Sequence, residues 1–465
     1  MIRTRIAPSP TGKDVHVGSV ATALMNFAWA KKHRGKFVVR IEDTDQTRVV
    51  VGGEQKMLET LESIGLMADE SPIVGGPFAP YRQSERLDIY KRYAQELVAN
   101  NKAYYCVCTP ERLDSMRKKQ QAEKQMPKYD RHCLTHQAEV LEKVKKGEKH
   151  VIRLLMPEKT ISFHDIIRGD ITIDTNNLDD QVLLKSDGFP TYHLGVVVDD
   201  HLMEITHIIR GEEWLPSTPK HIILFEAFGW KVPEIAHVSV LRNPDRSKLS
   251  KRKNPVWTSE YIHMGIFPEA LLNYLALMGW SHPEGKDIFS LDEYIRIFDL
   301  KDIQKTAPVF DPVKLAWMNG MYIRKTPDAK LTGQIYEFYD KKYPEDMIGK
   351  TVPLIKERIK KLSDYFLLCE FFFRAPKMYE IDLSVKKEMF AEIAKDMEKI
   401  RDWTADTIGK QLAQTAEKSG LKNSEFFMLL RVAITGKKIS PPLNESMEVL
   451  GKNECCMRLR RVTAP

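Results

Sequence analysis

Much of what would mark a special class of protein is scarce in this chain. Six cysteines in 465 residues are too few for a disulfide framework, which points to a reducing compartment, the cytosol. No apolar run approaches the roughly 18–20 residues that a membrane span needs. Met1 is followed at once by a strand-like segment carrying Arg3 and Arg5, leaving no room for the charged, apolar and cleavage regions of a signal peptide. Internal repeats and low-complexity tracts are absent. A dominant charge is lacking too: 71 Lys and Arg face 64 Asp and Glu, a net charge of +7 that is too small to identify a nucleic-acid binder. Nearly all of that excess lies beyond residue 320, where an RNA backbone could profit from it.

What is present is a pair of phosphate-handling signatures. Ile2 to Ala7 alternates as a short strand would, and Pro8-Ser9-Pro10 forbids both helix and ladder, so the strand must stop in a stiff turn. Val20, Leu24, Phe27 and Ala28 then recur at helical spacing, placing His16 and Gly18 at a helix N-terminus. That end is expected to offer unpaired N–H groups and positive partial charge to a phosphate, and Gly18 lets a flat ring approach the backbone. Roughly 230 residues later, Lys248-Leu249-Ser250-Lys251-Arg252-Lys253 reads as an exposed loop able to close on a triphosphate and stabilise charge as pyrophosphate leaves. Either half alone is a weak signal; together, in this order, they point to a protein that spends ATP.

A chain 43% hydrophobic and 465 residues long is expected to be soluble, globular and divided into two to four domains. Strand-like stretches at 37–41, 182–184 and 205–209 alternate with helical ones at 20–32, 52–64 and 217–228, which predicts an α/β doubly wound parallel sheet. The plan is a split nucleotide-binding sheet (1–83 and 193–240), an inserted domain (84–192), a connecting stem domain (241–325) and a helical tail (326–465) of two subdomains. Leu354 to Phe373 and Val385 to Ile400 are read as helices of that tail.

His16-Val17-Gly18-Ser19 and Lys248-Leu249-Ser250-Lys251-Arg252 resemble the two signatures of class I aminoacyl-tRNA synthetases, with Val17, Ser19, Leu249 and Arg252 as departures. Arg5-Ile6-Ala7-Pro8-Ser9-Pro10-Thr11-Gly12, Val39-Arg40-Ile41-Glu42-Asp43-Thr44-Asp45, Pro80-Tyr81-Arg82-Gln83-Ser84-Glu85-Arg86, Lys185 to Leu194, Val198 to Met203 and Ile209-Arg210-Gly211-Glu212-Glu213-Trp214 are similar to bacterial-type glutamyl-tRNA synthetases. The likeness weakens after about residue 325.

That resemblance implies a class I synthetase fold with an inserted acceptor-end-binding α/β domain, a stem-contact domain and an all-α anticodon-binding region. It implies ATP with Mg²⁺ as substrate, L-glutamate and tRNA(Glu) as the other partners, a glutamyl-adenylate intermediate whose formation waits for tRNA, and a cytoplasmic monomer without membrane association. His16, Lys248 and Lys251 would be catalytic. His16, Gly18, Glu213, Val240, Leu241 and Lys251 would line the ATP site, Val240 and Leu241 through their backbones. Arg5, Ala7, Ser9, Glu42, Tyr192 and Arg210 would hold glutamate, with the arginines meeting its side-chain carboxylate through their rigid forks and Glu42 facing its ammonium.

Cys106 and Cys108 with Cys133 offer three thiolates for a structural zinc in the insertion. The family's histidine two residues after the third cysteine is Thr135 here, so Tyr129 or His136 would have to supply the fourth ligand. Besides a ligase restricted to tRNA(Glu), the sequence admits one that also, or mainly, charges tRNA(Gln), with Arg358 near the region that governs the choice. A non-enzymatic RNA-binding paralogue is disfavoured because the histidine, lysines and pocket arginines are all present.

Overall fold

The computed structural model describes residues 1–249 and 255–463 and divides into two compact units. One holds Met1–Tyr261 with Leu271–Asp311, the other Ile262–Ala270 with Pro312–Pro465. In the first unit, β1 (Arg3–Ile6) and β2 (Lys36–Val39) pair in parallel, with Arg5 opposite Val38, and α1 (Val17–Lys32) forms the crossover. Parallel strands need such a crossover because no tight turn can return the chain in the same direction. α2 (Gly53–Ser63) and α3 (Leu87–Ala99) follow.

The predicted insertion supplies β3 (Ala103–Cys106), α4 (Pro110–Ala122), α5 (His132–Thr135), α6 (Gln137–Lys145), β4 (Val151–Leu154), β5 (Thr160–Asp165), β6 (Gly169–Asp174) and β7 (Val182–Leu184). β3, β4 and β7 make a separate antiparallel sheet, so Val182–Leu184, expected in the parallel sheet, is instead an insertion strand. The β5–β6 hairpin leaves the insertion: Asp165 pairs in parallel with Ile235 of β9 (Glu234–Val238), which itself pairs in parallel with β8 (His207–Gly211). α7 (Tyr192–Leu202) precedes β8, and α8 (Thr218–Ala227) joins β8 to β9.

One apolar core runs through Val38, Val197, Leu224 and Ile235 into Ala103, Ile152, Leu154 and Leu183. The insertion's sheet therefore shares its buried face with the parallel strands. β3 faces both ways, as a strand's period of two requires: Ala103 enters this core, while Tyr104 and Cys106 join Tyr129, Cys133 and Val140 in a smaller cluster. α4 buries none of its residues; Thr109 caps it by accepting the Arg112 N–H, and its Arg112 pairs with Asp130.

The second unit is helical around two apolar clusters, one on Leu331, Ile348, Val352 and Tyr365 and one on Phe390, Ile393, Leu412 and Leu430. The stretch read as one helix from Leu354 to Phe373 is interrupted. A helix over Glu345–Ile355 ends, and another begins at Asp364, whose carboxylate accepts the N–H groups of Lys360 and Lys361 at 3.0 and 3.1 Å. Local side-chain bonds to the backbone of this kind offer an alternative to continuing the helix. The helix expected over Val385 to Ile400 spans Lys387–Glu398. Among the described residues no helix is long and apolar enough to cross a membrane.

Candidate active site

A cavity of about 840 Å³ opens above the C-terminal ends of β1 and β8, within the first unit. His16 stands at its edge as the N-cap of α1, in an extended conformation, with its Nδ1 accepting the Gly18 N–H at 2.9 Å. That bond leaves the proton of the neutral ring on Nε2. A Cβ at residue 18 would lie 3.1 Å from His16 Nδ1, so glycine is what lets the ring close over its own helix. The expectation of unpaired N–H groups here is corrected. Val17 N–H donates to Val256 O at 2.8 Å, Gly18 N–H to the His16 ring and Ser19 N–H to His16 O at 2.8 Å. An anion at this end would meet the helix dipole and the imidazole rather than unpaired N–H groups.

Arg5 sits on β1 and is buried. Its Nε and Nη2 donate to Asp200 of α7, each at 3.1 Å from the nearer oxygen, leaving Nη1 out of that pairing. Arg40, fully buried past the end of β2, donates to Asp200 at 2.8 Å and to Glu42 at 3.1 Å. Burial alone would raise the Asp200 pKa, but the two guanidiniums outweigh it and hold the carboxyl below its ordinary range. Glu42 is pushed the other way: burial raises its pKa, and Arg40 only partly offsets that. Asp199 accepts from Gln83, Arg86 and Tyr90 at 2.7 to 2.9 Å and also pairs with Arg40 at 3.6 Å.

Arg210, near the end of β8 and 6% exposed, has no such carboxylate. Its Nε donates to His237 at 3.2 Å, its Nη1 to the Tyr192 hydroxyl and to His221 Nδ1 at 3.1 Å each, and its Nη2 to Thr218 at 2.9 Å. All four partners are neutral, and among the described residues no acid pairs with it. Burial lowers the Arg210 pKa, the signature of a desolvated cation lacking its counter-charge. The same burial pushes the Tyr192 phenol up to about 12, against the pull of Arg210. Trp214 packs on Tyr192 with ring centres 4.3 Å apart and planes tilted by 32°.

At the other end of the cavity, Lys248 Nζ lies 3.9 Å from Glu213. The hairpin carrying Lys248 is closed by Leu249 N–H donating to Leu241 O at 3.1 Å and Asn243 N–H to Ser247 O at 2.8 Å. The Val240 N–H donates to Glu212 at 3.3 Å, and Arg168 pins the same carboxylate at 2.7 Å. Arg5, Ala7, Ser9, His16, Gly18, Glu42, Tyr192, Arg210, Glu213, Val240, Leu241 and Lys248 all line this one cavity. Lys251 lies outside the described residues.

The cysteines of the insertion form a separate cluster. The Cys106, Cys108 and Cys133 sulfurs lie within 4.8 Å of one another, and the Tyr129 hydroxyl stands 3.4 Å from Cys106 and 3.3 Å from Cys108. Burial and the thiols drive the Tyr129 pKa upward. His136 is not brought in: its Nδ1 faces the His132 carbonyl and the Thr135 hydroxyl at 2.9 and 3.0 Å.

Sequence reasoning missed the supports of the site. The pair Asp199-Asp200 follows three valines on α7, and carboxylates in so apolar a run need buried cations, a signal that could have tied them to Arg5, Arg40 and Arg86. Asp165, Thr218, His221 and His237 carry no comparable local signal, because only the parallel pairing of β5 with β9 and the crossover α8 bring them to Arg210.

With that geometry in place the wider likeness can be stated. Residues 1–317 match the family described as tRNA synthetases class I (E and Q), catalytic domain, and residues 328–463 match an anticodon binding domain. The chain belongs to the class I tRNA synthetases of that E and Q family, whose members use ATP as a substrate. It is 44% identical to a glutamate–tRNA ligase of Acidothermus cellulolyticus over 100% of this chain and 95% of that one. It is 45% identical to a glutamate–tRNA ligase of Cellvibrio japonicus over 99% and 92%. A solved glutamate tRNA ligase from Elizabethkingia meningosepticum, in complex with its amino acid, superposes with a TM-score of 0.89 at 36% identity, covering 99% of each chain.

Proposed function

We propose that this chain attaches L-glutamate to tRNA(Glu) in two steps at the expense of ATP. The observation that carries the reading is Arg210, a buried cation whose protein partners are all neutral, in the same cavity as the half-buried acid Glu42. A ligand with an anionic side chain and an ammonium complements that pair. Arg210, Tyr192 and Arg5 would receive the side-chain carboxylate and Glu42 the ammonium, with Ala7 and Ser9 along the ligand's backbone. His16 and Gly18 at the head of α1, with Glu213, Val240 and Leu241, would take ATP.

In the first step an oxygen of the α-carboxylate attacks the α-phosphorus, the bond to the β-phosphate oxygen breaks, and pyrophosphate leaves. In the second, the terminal ribose hydroxyl of tRNA attacks the activated carbonyl and AMP departs. The nucleophiles belong to the substrates, so the protein's share is positioning and charge stabilisation. His16 would donate from Nε2 to phosphate, and Lys248 and Lys251 would meet the charge that develops on the leaving group. Mg²⁺ arrives on ATP and is held mainly by phosphate and water.

The parts are taken as a catalytic domain (1–83 and 193–240), an acceptor-end domain (84–192), a stem-contact domain (241–325) and an anticodon-binding tail (326–465), acting as a cytoplasmic monomer. In the insertion, Cys106, Cys108, Cys133 and Tyr129 suit a closed structural zinc site, since three sulfurs and one oxygen already converge, and a bound ion would add cohesion to a region with a small core. Aminoacylation with labelled glutamate on tRNA(Glu) and tRNA(Gln) transcripts tests the reading. Charging of tRNA(Glu) supports it, charging of both broadens the tRNA scope, and charging of neither, or charging with glutamine instead, refutes it.

A further inference from the structure

Two hydrogen-bonded chains hold Arg210, and each dictates which way its protons point. Asp165, fully buried at the end of β5, lies 2.6 Å from His237 Nδ1. A carboxylate only accepts, so His237 carries its proton on Nδ1 and presents the Nε2 lone pair to the Arg210 Nε–H. On the other side His221 must accept from Arg210 at Nδ1. Its proton is then on Nε2 and is donated to Nδ1 of His193 at 3.1 Å. The opposite tautomer of either ring would aim N–H at N–H, and a protonated ring would set cation against cation.

We propose that Asp165–His237 and His193–His221 are positioning residues that lock the Arg210 fork and keep its charge uncompensated, reserving it for the carboxylate of the amino-acid substrate. Burial holds all three rings neutral; it brings His193 down to about 4 and His221 well below its ordinary value. The charged groups facing His221 are Arg210, Arg5 and Lys220, and beside Arg210 those facing His237 are Asp165 and Arg168. Cations therefore oppose protonation on every side except that of Asp165. The discriminating element of the pocket is in this view that, among the described residues, no acid is hydrogen-bonded to Arg210 or ion-paired with it: a glutamine amide would leave the buried cation unpaired, whereas a carboxylate completes it.

The proposal rests on the reading of this cavity as a glutamate site, and tRNA-dependent pyrophosphate exchange separates the two. Wild-type protein that activates no glutamate refutes that reading. If the wild type is active, Asp165→Asn should raise the glutamate KM about tenfold to a hundredfold while the ATP KM stays within about twofold. The amide can still accept the Ile167 and Arg168 N–H groups at the Oδ1 position, but its NH₂ forces the wrong tautomer on His237. His237→Leu should behave alike, and His237→Gln, which restores an acceptor near the place of Nε2, should recover most of the loss. Equal rises in both KM values, or a His237→Gln enzyme as impaired as His237→Leu, overturn the proposal. Should His237→Leu fail to fold, the isosteric Asp165→Asn decides alone.

Discussion

Replacing Arg210 by methionine, which keeps the stem's bulk and removes the charge, should damage glutamate binding selectively and also lower stability. A guanidinium has five N–H groups, and the protein takes four of them: one on Nε, two on Nη1 and one on Nη2. The ligand's side-chain carboxylate is thus left one Arg210 N–H, the Tyr192 hydroxyl proton and Arg5. Loss of one charge-assisted hydrogen bond in a buried site costs about 1.5–3 kcal/mol, about a tenfold to hundredfold rise in the glutamate KM. The folded state would lose four charge-assisted hydrogen bonds of about 1.5–3 kcal/mol each and shed an unpaired buried charge whose desolvation costs several kcal/mol. The second offsets only part of the first, so the urea midpoint should fall. Pyrophosphate exchange at varied glutamate and ATP, beside equilibrium unfolding, checks both halves. A folded variant whose ATP and glutamate KM values rise together would show that Arg210 is only a structural strut.

Gly18→Ala should press a methyl group on the His16 ring, which already lies 3.1 Å from the Cβ position; the lost cap costs about 1 kcal/mol in melting, and kcat for exchange should fall with it. Burial holds the Glu42 pKa above its ordinary value, and a bound ammonium would favour the ionised form. Glutamate binding should therefore release protons, and its KM should rise as pH falls through the raised Glu42 pKa; calorimetry in buffers of different ionisation heat would register that release, and proton uptake would contradict it. Protein purified without added metal should contain about one zinc per chain. Tyr129→Phe should weaken retention against a chelator and His136→Ala should not; the reverse ranking would make His136 the fourth ligand.

The parts of this site legible in the sequence are those that lie close together along the chain. The strand, the Pro8-Ser9-Pro10 stop and the helix capped by His16 follow from alternation, proline chemistry and helical spacing within about 30 residues. Family likeness added Arg5, Glu42, Tyr192 and Arg210, which periodicity alone could not mark. The engagement of the Val17 N–H was not legible, because it depends on Val256, some 240 residues away, whereas those of Gly18 and Ser19 are met locally by His16. Nor was the neutral shell of Arg210: Asp165 reads as an ordinary turn acid at the end of a hairpin strand until β5 is seen beside β9. The break between Ile355 and Asp364 was missed because the apolar spacing continues across it, while the turn that Asp364 holds in the break rests on a single side chain.

The central claim is that the charge left unpaired at Arg210 selects an anionic amino acid for activation. ATP–pyrophosphate exchange in the presence of tRNA, with glutamate and glutamine compared side by side, tests it most directly. The account predicts exchange with glutamate and a rate with glutamine close to the amino-acid-free background; exchange with glutamine matching or exceeding that with glutamate would contradict it.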